Sequence, residues 1–175
     1  MKKVILIFAL FAIYSCKKKT SPVNSLPPIT QTGANTLGFL GNNDVWIPRG
    51  NSNLGTNPRI LYDLNTDGIP FILIKAEQID GATAISDLTL VADSVTTTGD
   101  YIIWKNQPGA GFLSTNYPSE CGMYSYDTVN YKTGKITVTK LDLTNHIIAG
   151  TFNLTYKTDM CDTMKITDGR FDMHF

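Results

Sequence analysis

From Leu37 to Phe175 apolar and polar residues alternate in short runs, separated by Gly, Asn, Asp and Pro. That is the period of strands that bury one face. The pattern is sharpest at the C-terminal end. Between Lys135 and Leu143, Ile136 and Val138 share one parity while Leu141 and Leu143 take the other. One inserted residue near Lys140, a bulge, restores a single buried face. Thr144-Asn145-His146 predicts a turn, because Asn accepts left-handed backbone angles and bonds its own main chain. Ile147 to Tyr156 then returns, with Ile148, Phe152, Leu154 and Tyr156 on one face and Thr151, Asn153 and Thr155 on the other. Met164 and Ile166 precede Asp168-Gly169, and Phe171, Met173 and Phe175 follow with opposite parity, which places a second bulge at Gly169. A strand ending on Phe175 is expected to pack that residue and to lie inside its sheet.

Upstream, Leu37–Leu40 and Val45–Pro48 flank Gly41-Asn-Asn-Asp44 as a hairpin, and Arg49–Pro58 reads as a loop. Arg59–Leu64 and Ile69–Ala76 form a second hairpin around Asp67-Gly68, a strong turn signal. Phe71 to Ile74 is apolar on both parities, as in a strand covered on both faces. Ser86–Ala92, Asp100–Lys105 and Met123–Thr128 add strands, with Trp104 a core anchor, while Asn106–Cys121 is irregular. Ala76–Ile85 has room for one helical turn at most. The expectation is all-β: about eight to ten short, mostly hairpin-connected strands in a single antiparallel sandwich or flattened barrel over residues 36–175.

The first fifteen residues fall outside that pattern. Lys2-Lys3 followed by apolar Val4–Tyr14 has the form of a signal peptide, too short to span a bilayer as a helix, and Cys16 stands where a lipobox cysteine would. Acylation of Cys16 anchors a chain more firmly than one myristoyl group does. Lys17-Lys18-Lys19 then favours anionic headgroups. Residues 16–35, rich in Ser, Pro, Thr, Asn and Gly after the lysines, read as a lipidated cysteine and flexible spacer.

Charge removes one class of function. The chain has 15 Lys and Arg against 15 Asp and Glu, and five of the basic residues lie at 2, 3, 17, 18 and 19. From Asn35 onward that leaves ten basic against fifteen acidic residues, a net charge near −5. An acidic domain with no basic stripe is a poor nucleic-acid binder.

Lys135–Leu143, Ala149-Gly-Thr-Phe152 and Ile166-Thr-Asp-Gly-Arg-Phe-Asp172 resemble the C-terminal signature of a family of small, uncharacterised Bacteroidota lipoproteins. The likeness extends loosely to Thr36–Pro48. It implies an envelope location and an all-β domain, and supplies no activity. In such lipoproteins acidic residues after the cysteine accompany export to the cell surface. Lysines here imply the periplasmic face of the outer membrane. The same resemblance makes Asp93-Ser94-Val95, Asp127-Thr128-Val129 and Asp162-Thr163-Met164 candidate O-glycosylation sites at Ser94, Thr128 and Thr163.

Cys121 and Cys161 remain once Cys16 is lipidated, an even pair for an oxidising compartment. A bridge closing a loop of about 40 residues contributes about 4 kcal/mol in the chain-entropy model. Asp63-Leu-Asn-Thr-Asp-Gly68 copies half an EF-hand loop, but Ile74 occupies the position of the bidentate Glu, so a hairpin turn is expected and no metal. Gly109-Ala-Gly-Phe-Leu-Ser114 resembles half a dinucleotide fingerprint without a following helix and reads as loop; no cofactor is expected. Arg170, Asp172 and His174 share one face of the last strand, which alternation makes a solvated face. Glu77 and Glu120 are the only glutamates, with no evident partner. Among the aromatics, Phe112, Tyr117 and Tyr131 lie in loop-like surroundings and are the candidates for ligand contact. The expected function is a non-enzymatic, membrane-anchored binding or structural β-domain whose partner is an envelope protein or glycan. A small barrel holding an apolar ligand, and a hydrolase with its site on residues 106–121, are the alternatives.

Overall fold

The computed structural model describes residues 21–52, 55–81, 83–104, 111–114, 131–158 and 161–175, without the side chains of 104, 111–114, 158 and 161. A short 3-10 turn, Pro22–Ser25, precedes strands β1 (Thr36–Gly41), β2 (Asp44–Trp46), β3 (Arg59–Leu64), β4 (Pro70–Asp80) and β5 (Thr83–Asp93). They are followed by β6 (Gly99–Trp104), β7 (Gly111–Ser114), β8 (Tyr131–Asp142), β9 (Ile147–Thr158) and β10 (Cys161–His174). The larger sheet runs β2-β1-β10-β9-β8-β6 and the smaller β3-β4-β5-β7, and every pairing is antiparallel. The sheets are separate. The arrangement is therefore a sandwich, and the flattened-barrel alternative falls because its strands do not close.

Period-two burial builds the core. From the larger sheet Leu37, Phe39, Ile136, Val138, Ile148, Phe152, Leu154, Tyr156, Phe171 and Met173 face inward, and from the smaller Ile72, Ile74, Leu88, Leu90 and Ala92. Phe39 stacks on Trp46 with centroids 4.7 Å apart and meets Phe152 edge-on at 6.0 Å. Trp46 Nε1 donates to Ser86 Oγ at 2.9 Å, joining β2 of one sheet to β5 of the other. Tyr62 against Phe175, centroids 5.0 Å apart, makes a second cross-sheet contact.

The C-terminal strands follow their alternation closely. The β8–β9 register slips between Val138 and Lys140, and the β10–β9 register between Ile166 and Gly169. Both bulges keep the apolar set on the inner face, although Leu143 ends up 55% exposed in the turn. β10 lies between β1 and β9, an internal strand.

Four expectations are corrected. The described residues of Ala76–Ile85 form no helical turn: β4 runs on to Asp80 and β5 starts at Thr83, because the pairs Glu77–Asp87, Gln78–Ser86, Ile79–Ala84 and Asp80–Thr83 extend the ladder. Gly111–Ser114, read as loop, is a strand paired with Ser86–Thr89. Phe71 and Leu73 are half-buried, so β4 is fully covered only on the Ile72–Ile74 face. The spacer reading of residues 16–35 fails from Leu26 onward, where the chain lies along the outer face of the larger sheet. Met123–Thr128 and the Trp104 side chain lie outside the described residues.

Candidate functional site

The outer face of the larger sheet carries the most elaborate polar arrangement in the described molecule. On β10, Arg170, Asp172 and His174 point outward, as alternation requires. Asp172, however, is only 1% exposed. Residues 26–35 cross over it as a strap. Asp172 Oδ2 accepts the Thr30 hydroxyl at 2.6 Å, the Thr32 amide at 2.9 Å and the Thr32 hydroxyl at 3.2 Å, and Oδ1 accepts the Gly33 amide at 2.7 Å. Gly33 reaches this position with φ +74°, and a Cβ there would strike the His174 ring. The neighbours complete the seam. His174 Nδ1 lies 2.7 Å from the Gly33 carbonyl, which only accepts, so Nδ1 carries the proton. Arg170 Nη1 donates to the Pro27 carbonyl at 3.3 Å and Lys140 Nζ to the Gln31 carbonyl at 3.1 Å. The solvated reading of Arg170, Asp172 and His174 is therefore corrected. No parity argument shows a non-strand segment laid across a sheet.

Burial pushes the Asp172 carboxyl up, and hydrogen bonds from Thr30, Thr32, Gly33 and Ala34 more than reverse this, leaving it below its ordinary value. That is the signature of an ionised carboxylate used as a multiple acceptor.

Beside the strap is a half-open groove of about 320 Å³. Ile29 of the strap forms one wall; Lys135, Thr151, Asn153, Asp168 and Arg170 supply the floor and the other walls. Cross-strand register explains their meeting: Thr137 lies opposite both Asp100 and Thr151, and Thr151 opposite Arg170. Lys135 lies opposite both Ile102 and Asn153. The β10 bulge at Thr167–Asp168 turns Asp168, φ +52°, towards this row. Lys135 Nζ binds Asp100 at 2.9 Å and the Thr137 hydroxyl donates to the same carboxylate at 2.7 Å, which holds Asp100 below its ordinary value.

Of the ligand-contact candidates, Tyr131 is placed on this outer face, 51% exposed and in phase with Lys135. The Phe112 side chain and all of Tyr117 lie outside the described residues. Cys16, Cys121 and Thr128 lie outside as well, and only the backbone of Cys161 is described. Ser94 is exposed at φ +60° after β5, and Thr163 is half-buried. The half EF-hand is the β3–β4 turn: Asn65 Oδ1 accepts the Asp67 and Ile69 amides, so its oxygen serves its own backbone. Among the described residues no three His, Cys, Asp or Glu gather at metal-binding distance.

Glu77, expected to stand alone, faces Asp87 across the β4–β5 ladder. A hydrogen bond from Ser52 and the Arg59 guanidinium at 3.3 Å lower Glu77 against its own desolvation, while burial raises Asp87. The pairing depends on hairpin register, which spacing in the sequence does not disclose.

No family model, curated protein or solved structure matches the chain.

Proposed function

We propose that this chain is a lipoprotein anchored through Cys16 whose β-sandwich serves as a non-catalytic binding module on the periplasmic face of the outer membrane. The N-terminal pattern Lys2-Lys3, Val4–Tyr14, Cys16 supports the anchor, and the likeness of the C-terminal strands to Bacteroidota lipoproteins supports the compartment. The observation that carries the reading is the strap. Leu26 is already buried, 7% exposed, and the preceding turn Pro22–Ser25 lies against β1 and β2, so at most about ten residues, reaching about 35 Å, separate the sandwich from the lipidated cysteine. A domain merely passing through the compartment has no need of a seam fixing its leader-proximal segment; a tethered one gains a set orientation, with the groove beside the point of attachment. The Cys121–Cys161 bridge belongs to the same proposal.

Membrane fractionation tests it. Wild-type chain is expected in the detergent-extracted membrane fraction and Cys16→Ala in the soluble fraction. A Cys16→Ala chain that stays membrane-bound overturns the anchor.

A further inference from the structure

We propose that the groove between Ile29 and the outer face of the larger sheet binds an acidic oligosaccharide, a chain of sugars bearing carboxylates. This rests on the reading of the chain as a binding module and adds the class of ligand.

The groove's hydrogen-bonding capacity is unevenly spent. Arg170 donates Nε to the Asp168 carbonyl at 3.1 Å and Nη1 to the Pro27 carbonyl, leaving the two Nη2 hydrogens without a partner among the described residues. Lys135 gives Asp100 one of its three ammonium hydrogens. The Thr151 hydroxyl and the Asn153 amide make no side-chain hydrogen bond with described residues, and both line the groove. Against these donors the groove offers one uncommitted carboxylate, Asp168. Two cations with spare donors call for an anion that accepts, and a lone acceptor beside hydroxyl and amide groups calls for ligand hydroxyls. A uronic acid presents both on one ring.

Shape and strand order favour sugar over peptide. At about 320 Å³ the groove is at the lower end of small-ligand sites and suits about one to two rings. It sits over β8, β9 and β10, inner strands whose backbone groups already pair on both sides, so an extended peptide finds no ladder to join. Exposed apolar surface flanks it where the C–H faces of further sugars would lie: Ile29 is 62% exposed, and Ile102, opposite Lys135, is 50% exposed. Tyr131, 51% exposed, stands four residues from Lys135 on the same face of β8. At the strand rise that is about 13 Å, in reach of the same oligomer.

Calorimetry on the full-length chain in detergent, with hexagalacturonate, cellohexaose and hexaglutamate as probes, decides the matter. Hexagalacturonate is expected to bind, and Lys135→Ala and Asn153→Ala each to weaken it roughly tenfold with melting temperature unchanged. Tyr131→Ala is expected to weaken it as well. Lys165→Ala, on the same face but outside the groove, is expected to leave it unaltered. Absence of hexagalacturonate binding overturns the proposal, as does equal binding of the neutral hexamer or of the acidic peptide. Equal losses from Lys165→Ala and Lys135→Ala overturn the groove as the site. If hexagalacturonate does not bind while Cys16→Ala still releases the chain from membranes, the ligand class alone is wrong. If the oligomer is bound and shortened, the ligand class stands and the non-catalytic reading falls.

Discussion

Asp172 occupies an outward position of β10, where alternation alone places a solvated side chain, yet Thr30, Thr32 and Gly33 close over it. Asp172→Asn replaces one acceptor oxygen by an N–H that faces donors. It is expected to cost about 2–3 kcal/mol, seen as a lower urea midpoint with an unchanged slope. The acid response has a definite sign. With its folded pKa below the ordinary 3.8, Asp172 contributes fully above that value and loses its contribution as pH falls through the lower folded one. Asp87, raised by burial, works in the opposite direction, so global melting mixes the two. The clean readout is hydrogen exchange at the Thr32 and Gly33 amides. It is expected to accelerate on acidification below about pH 4 in the wild type, beyond the intrinsic trend, and to show no such step in Asp172→Asn. The turn expected at Thr144–His146 forms, but its left-handed residue is His146, φ +54°, not Asn145. Asp142 captures the Asn145 amide and side chain at 2.9 Å, and the His146 ring meets Phe175 edge-on at 5.4 Å.

At the scale of elements the two parity slips were legible because a strand that changes parity without a bulge exposes half its apolar residues. Gly169 ends the β10 bulge, where a Cβ would come 2.6 Å from the Phe152 ring and its carbonyl oxygen. Gly169→Ala is expected to destabilise by about 1–3 kcal/mol in chemical denaturation, since neither backbone nor a packed ring yields cheaply. Strand lengths were less legible. Residues such as Glu77 and Gln78 have weak strand preference by themselves and are extended because Asp87 and Ser86 pair with them.

For the whole molecule, the chain changes sheets after β2, β5, β6 and β7, so the sequence neighbours β6 and β7 sit in different layers. Local pattern is silent about such crossings. Cys161 begins β10, and Cys121 lies between β7 and β8 in the sequence, so a bridge between them closes a loop of about 40 residues that ends on the larger sheet. Cys121→Ser is expected to cost about 4 kcal/mol of stability, the loop-closure value. The wild type is expected to show no free thiol at these two positions in non-reducing mass spectrometry; two free thiols there remove the bridge.

By itself the sequence determined the β class, the inward-facing residues of β9 and β10, the turns at Asn42–Asn43 and Asp67–Gly68, and the places where β8 and β10 slip, since each follows from period two and from residues that tolerate positive φ. Tertiary structure alone decided that the layers stay open rather than close into a barrel, that Glu77 meets Asp87, and that residues 26–35 fold back onto Asp172. Those contacts join positions up to 142 residues apart, and no local preference encodes which distant carboxylate an amide will find.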